Sequence, residues 1–147
     1  MSFTSFTARS AAAKATSRAP DIIVLLARVL LVALFILSGC DKLTGYAGTV
    51  LYIASHGLPF PGVAAAFAVV VELGLGLLVL VGWKARWAAL VMAVFTLAAA
   101  LLFHAYWSDT AAERMSDYVN FWKNMSIAGG FLMLFACGAG RYSLDRS

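Results

Sequence analysis

Residues 21–39 read DIIVLLARVLLVALFILSG, and residues 63–82 read VAAAFAVVVELGLGLLVLVG. Each is an apolar run of about twenty residues, which at about 1.5 Å per residue spans a hydrocarbon core of roughly 30 Å. Each holds one ionisable residue in its interior, Arg28 in the first and Glu72 in the second. A charge at membrane depth costs about 2.5–3.5 kcal/mol on insertion scales, so it is kept mainly where it faces a bundle interior and has a partner. Arg28 lies about twelve residues below one end of its run and Glu72 about nine, or roughly 18 and 14 Å. The reading expects these opposite charges to meet as an intramembrane pair. A structural lock between two helices and a proton or substrate site beside the bundle axis are both open to such a pair.

Working outward, two further apolar runs follow, from Trp87 to Trp107 and from Val119 to Gly138. None alternates as a barrel strand would. The expected fold is all-α, a transmembrane four-helix bundle with spans at about 21–39, 63–82, 87–107 and 119–138. Residues 1–20 read as a mobile basic arm, 21–140 as the membrane domain and 141–147 as a tail. Composition agrees: 63% of residues are hydrophobic and 12% charged, and the mean hydropathy is +0.88. A soluble domain of this size has too little interior to hide so much apolar surface.

The basic residues sit in connections and tails, so the net charge of +4 is no nucleic-acid signal. Arg9, Lys14, Arg18, Lys84, Arg86, Arg141 and Arg146 fall on one side of a four-span topology. Only Lys42 and Arg114 fall on the other, beside Asp41, Asp109, Glu113 and Asp117. That asymmetry places both termini in the cytoplasm. Trp83 and Trp87 then lie near one interface, Trp107 and Trp122 near the other.

The first connection, Cys40 to Gly62, is long. Its apolar middle, Val50 to Ser55, is expected to form a short amphipathic segment between spans one and two, broken at Gly57-Leu58-Pro59. Whether residues 40–62 lie on the membrane or cap the bundle mouth stays open at this point. Leu37-Ser38-Gly39-Cys40 resembles a lipoprotein cleavage box. The apolar run before it, however, exceeds the roughly 7–15 residues of a signal core and holds Arg28 near its middle.

A second polar group is expected near the outer face: Lys42 at the end of span one, His104 near the end of span three, and Lys123 with Asn124 one turn into span four. His104 can titrate near neutral pH, and Lys123 supplies a positive charge. Together these side chains could polarise the carbonyl oxygen of a quinone or hold a small anion. The plainer reading is snorkelling at the interface. No metal cluster, dinucleotide fingerprint or phosphate loop is present in the sequence. His56 lies in a connection and His104 in a span, which disfavours bis-histidine haem. Cys40 and Cys137 fall at opposite faces, too far apart for a disulfide. Alanine stripes such as Ala64–Ala66 and Ala98–Ala100 permit close helix packing within one bundle or in a homo-oligomer.

In order along the chain stand Ala27-Arg28, Ser38-Gly39, Lys42-Leu43, Gly57-Leu58-Pro59, Glu72-Leu73-Gly74, Gly82 and Arg86. Phe103-His104, Lys123-Asn124, Gly129-Gly130 and Gly140-Arg141-Tyr142-Ser143-Leu144-Asp145 complete the series. In their order and spacing these pieces resemble the DoxX family of small bacterial membrane proteins. Cys40-Asp41 departs from its pattern. The resemblance implies a four-helix membrane bundle. It also implies a link to the membrane part of a thiosulfate:quinone oxidoreductase and to soluble redox partners in oxidative-stress defence. Two function classes remain: a membrane subunit of a quinone-linked redox system, or a non-enzymatic protein, either an anchor for a soluble partner or a small-solute carrier.

Overall fold

The computed structural model describes residues 18–145, and all regular structure among them is helical. The expected basic arm lies outside the described residues up to residue 17. The helix α1 runs Arg18–Thr44 and α2 Tyr46–Ser55. The helix α3 spans Pro61–Val81 and widens to a π-helical stretch over Val70–Leu75. Beyond it lie α4, Ala85–Phe103, and α5, Arg114–Cys137.

Three helices are long and apolar enough to cross a membrane: α1 over Asp21–Thr44, α3 and α4. The helix α5 has 24 residues but carries Asp117, Asn120, Lys123 and Asn124 along its first half. It packs closely along α4, whereas α1 and α5 meet only sparsely.

The packing is that of a lipid-embedded protein. Small residues fill the inside, with Ala65, Ala88, Ala89, Ala93, Ala100 and Ala128 all buried, while Leu30, Val63, Phe67 and Val94 stay outside. Without water to drive burial, helices associate through close backbone approach, which small residues allow. Gly39 shows the tightness: a Cβ there would come within 2.8 Å of the Leu73 side chain and 3.2 Å of the Glu72 Cβ. Larger anchors fix the centre, where Phe35 of α1 meets Phe131 of α5 edge to face at 5.3 Å between ring centroids.

Span boundaries shift from the sequence expectation. The first helix continues through Ser38-Gly39 to Thr44, five residues past Gly39. The fourth helix in the chain ends at Phe103, so His104 terminates it rather than lying inside it. The connecting helix α2 is longer than Val50–Ser55. It folds against the bundle, with Tyr52 stacked on Phe103 at 5.7 Å, His56 edge-on to the same ring at 5.1 Å, and Tyr46 Oη donating to the Gly62 carbonyl at 2.6 Å. The segment therefore caps the bundle mouth at one end.

The opposite end is closed by the tail. Gly82 takes φ +73°, and any Cβ there would fall 2.3 Å from the Cβ of Ser143. That turn lets Leu144 N–H donate to Val81 and Asp145 N–H to Gly82. Asp145 Oδ2 in turn accepts from Ala85 N–H at 3.0 Å, supplying an acceptor to the open start of α4. Those backbone donors hold the Asp145 carboxyl below the usual aspartate range.

Candidate functional site

Glu72 is carried by the π-helical stretch of α3 and is buried. An unpaired carboxylate there would be costly, so it needs a cation or a proton. The cation is Lys42, in the last turn of α1, whose Nζ donates to Glu72 Oε2 at 3.0 Å. Lys42 also donates to Ser38 Oγ, one turn earlier on its own helix. The side chain of Lys42 is 28% exposed and that of Glu72 only 7%, so the pair has one partly exposed and one buried partner.

The pair borders a cavity of about 460 Å³ between α1, α2, α3, α4 and α5. Its walls are mainly apolar, with Phe35, Ile53, Phe67 and Phe95 among them. Lys42, Glu72, His104, Lys123 and Asn124 all line it, so five polar side chains singled out in the sequence surround one space. His104 Nδ1 lies 3.0 Å from Asp117 Oδ1. An ionised carboxylate accepts only, which makes Nδ1 the donor in this bond. Lys123 Nζ donates to Asn120 Oδ1, one turn away on α5, at 2.8 Å.

Three further side chains belong to this site that the sequence reading does not place there. Ser38 reads as an ordinary small residue beside Gly39, and only the continued helix brings it onto the Lys42 side. Thr96 lines the cavity, but its hydroxyl donates to the Met92 carbonyl at 2.7 Å. Tyr52 comes from the cap. Burial first, and the Asp117 charge second, push its phenol up from the ordinary tyrosine value.

The expected Arg28–Glu72 pair does not form. Arg28 is 2% exposed, and its Nη1 donates to Ala139 O at 2.6 Å. Its Nη2 donates to Leu80 O and Tyr142 O, both at 2.9 Å. The reason is depth. Glu72 packs beside Gly39 of α1, and Arg28 is eleven residues further along that helix, about 16 Å away. The residue of α1 level with Glu72 is Gly39, and Lys42 one turn beyond it reaches back. Arg28 instead meets the carbonyl-rich C-terminal ends of α3 and α5, where a helix dipole favours a cation.

A cavity of this size, apolar for most of its wall and carrying two ammonium groups, an imidazole and a carboxylate, can seat a flat amphiphile with its oxygens among the charges. Among the described residues no cluster of histidine, cysteine and carboxylate side chains could hold a metal ion.

The DoxX family profile matches residues 23–105, which include Lys42, Glu72 and His104 but not Lys123 or Asn124. The inner membrane protein YphA of Escherichia coli K12 is 42% identical over 128 residues, covering 87% of this chain and 91% of the relative. The inner membrane protein YqjF of the same organism is 43% identical over 126 residues, covering 86% and 92%. No solved structure matches. With its three apolar helices, the chain is a multi-pass protein of the bacterial inner membrane, and it belongs to the DoxX family.

Proposed function

We propose that this protein is a membrane subunit of a quinone-linked redox system, with the quinone head in the cavity bounded by Lys42, Glu72, His104 and Lys123. The observation that supports this reading is the cavity itself. It has an apolar body for a ring and its chain, and cationic donors for the ring oxygens. Lys123 would hold one oxygen by charge. His104, oriented by Asp117, and the Lys42–Glu72 pair stand where a proton could be given or taken. The electron partner would be a soluble redox protein.

The topology that goes with this reading has α5 as a fourth span and both termini in the cytoplasm. It is supported by the seven basic residues on one side against two on the other. Reporter fusions after Arg86, Asp109 and Ser147 test it: cytoplasmic signal at Arg86 and Ser147 and periplasmic signal at Asp109 are expected.

The binding test is a titration of the purified protein with a short-chain ubiquinone analogue, followed by tryptophan fluorescence. Lys123→Ala and Lys42→Ala should each weaken binding about tenfold, as loss of a charged contact of about 1.4 kcal/mol would. Binding that is equal in wild type and both variants refutes the reading. A second reading, a small-solute carrier, is favoured by the π-helical stretch that bears Glu72, since such irregular turns recur at functional sites. Proton-coupled uptake that collapses in Glu72→Gln, with no quinone affinity, would select it.

A further inference from the structure

A second cavity, of about 380 Å³, lies between α1 and α5 at the end of the bundle closed by the tail. Val24, Ala27 and Leu31 line one side, Gly130, Met133 and Cys137 the other. The two helices meet sparsely there, and Ala27, Met133 and Cys137 are exposed. In a membrane protein that makes a groove open sideways to lipid, not to water.

Arg28 backs one end of the groove. Both its Nη atoms are used, and its Nε is buried behind the apolar wall with no hydrogen-bond partner among the described residues. An N–H left so in an apolar setting is unfavourable, and an arriving oxygen would relieve it. The level is also telling. Arg28 bonds to Leu80, in the last turn of α3, and to Ala139, just past the end of α5. That is where helices leave the hydrocarbon and where lipid ester and phosphate oxygens lie. Gly140 touches the groove wall, since a Cβ on it would come within 2.9 Å of Val24. The exposed Arg141 therefore stands beside the groove, at the end that also carries Lys84 and Arg86.

We propose that this groove binds one acyl chain of an anionic glycerophospholipid, whose head oxygens are held by Arg28 Nε and Arg141. The acyl chain fills the apolar walls, and the basic end selects negative charge. The site is separate from the quinone cavity and does not depend on that reading.

Cys137 gives a direct probe. In a Cys40→Ala background it is the single thiol. Its maleimide labelling is followed in micelles doped with phosphatidylglycerol or with phosphatidylcholine. Labelling at least fivefold slower with phosphatidylglycerol is expected. Ala27→Phe, a change at an exposed groove position, should remove the difference, and Arg141→Ala should at least halve it. Equal rates in the two lipids, or protection that survives Ala27→Phe, overturn the proposal. Native mass spectrometry of the unmodified chain gives an independent measure. One retained phosphatidylglycerol per chain in preference to phosphatidylcholine is expected, and equal retention of both overturns it.

Discussion

Arg28 and Glu72 are both charges buried in apolar helices, yet their surroundings differ. Around Arg28 the two Nη atoms hold three main-chain carbonyls, from α3, from just beyond α5 and from the tail. Around Glu72 a single lysine closes the charge, and a cavity of about 460 Å³ lies beside the pair. The first arrangement ties three chain segments together and leaves only Arg28 Nε unpartnered. The second is held by one flexible, partly exposed side chain. A buried charge held by several carbonyls acts first as a lock on the chain, and one beside a cavity with a movable counter-ion is available as a site.

The contrast can be broken by substitution. Arg28→Leu strands three carbonyls and should cost about 3–5 kcal/mol of stability, read as a lowered melting temperature and poor yield in detergent. Glu72→Gln keeps a hydrogen-bond acceptor for Lys42, whose side chain is partly exposed and free to turn away. It should cost only about 1–2 kcal/mol while altering ligand affinity at least tenfold. If Glu72→Gln unfolds the protein and Arg28→Leu does not, the assignment of lock and site is reversed. Gly39→Ala sharpens the comparison, because its Cβ would press on Leu73 and Glu72. About 1 kcal/mol of overpacking is expected, with weakened binding in the cavity. Gly48→Ala, with nothing within 4 Å of its added carbon, should be neutral or stabilising in the same melt.

The smallest effect belongs to Asp145. Its carboxyl titrates below the ordinary aspartate value because the starting N–H groups of α4 donate to it. A depressed acid stabilises the fold above the unfolded value of about 3.9 and loses that contribution as pH falls through the folded value. Asp145→Asn should therefore flatten the acid side of the stability profile and leave the melt near neutral pH only slightly lower. A profile unchanged on the acid side would show that the tail is held by its backbone bonds alone.

How much of this was legible in the sequence follows from the range of each interaction. Length and hydropathy marked α1, α3 and α4, because those depend on local composition. The polar set Lys42, His104, Lys123 and Asn124 was readable as residues near helix ends at one face, and the structure gathers them with Glu72 around one cavity. The partner of Glu72 was not readable. Ser38-Gly39 looks like a helix exit, yet Gly39 is present because α3 presses against α1 there, and the helix continues. With Gly39 level with Glu72, Arg28 lies eleven residues away and out of reach, and the five-residue extension keeps Lys42 on the helix within it. The tail contacts were equally hidden, since Asp145 and Ala85 are sixty residues apart in the chain and no periodic pattern records such a bond.

The wide turn over Val70–Leu75 has a consequence for anyone editing this chain. Each residue in a regular helix advances the side chains by about 100°, so one deletion inside that turn would let the ladder close in the ordinary way. The halves of α3 on either side would keep nearly the same faces, because a wide turn takes up its extra residue without rotating them. The loss would fall on the turn itself, which carries Glu72, while the Leu80 carbonyl stays on Arg28. Such a deletion would therefore separate the two ends of α3 that the intact helix serves together.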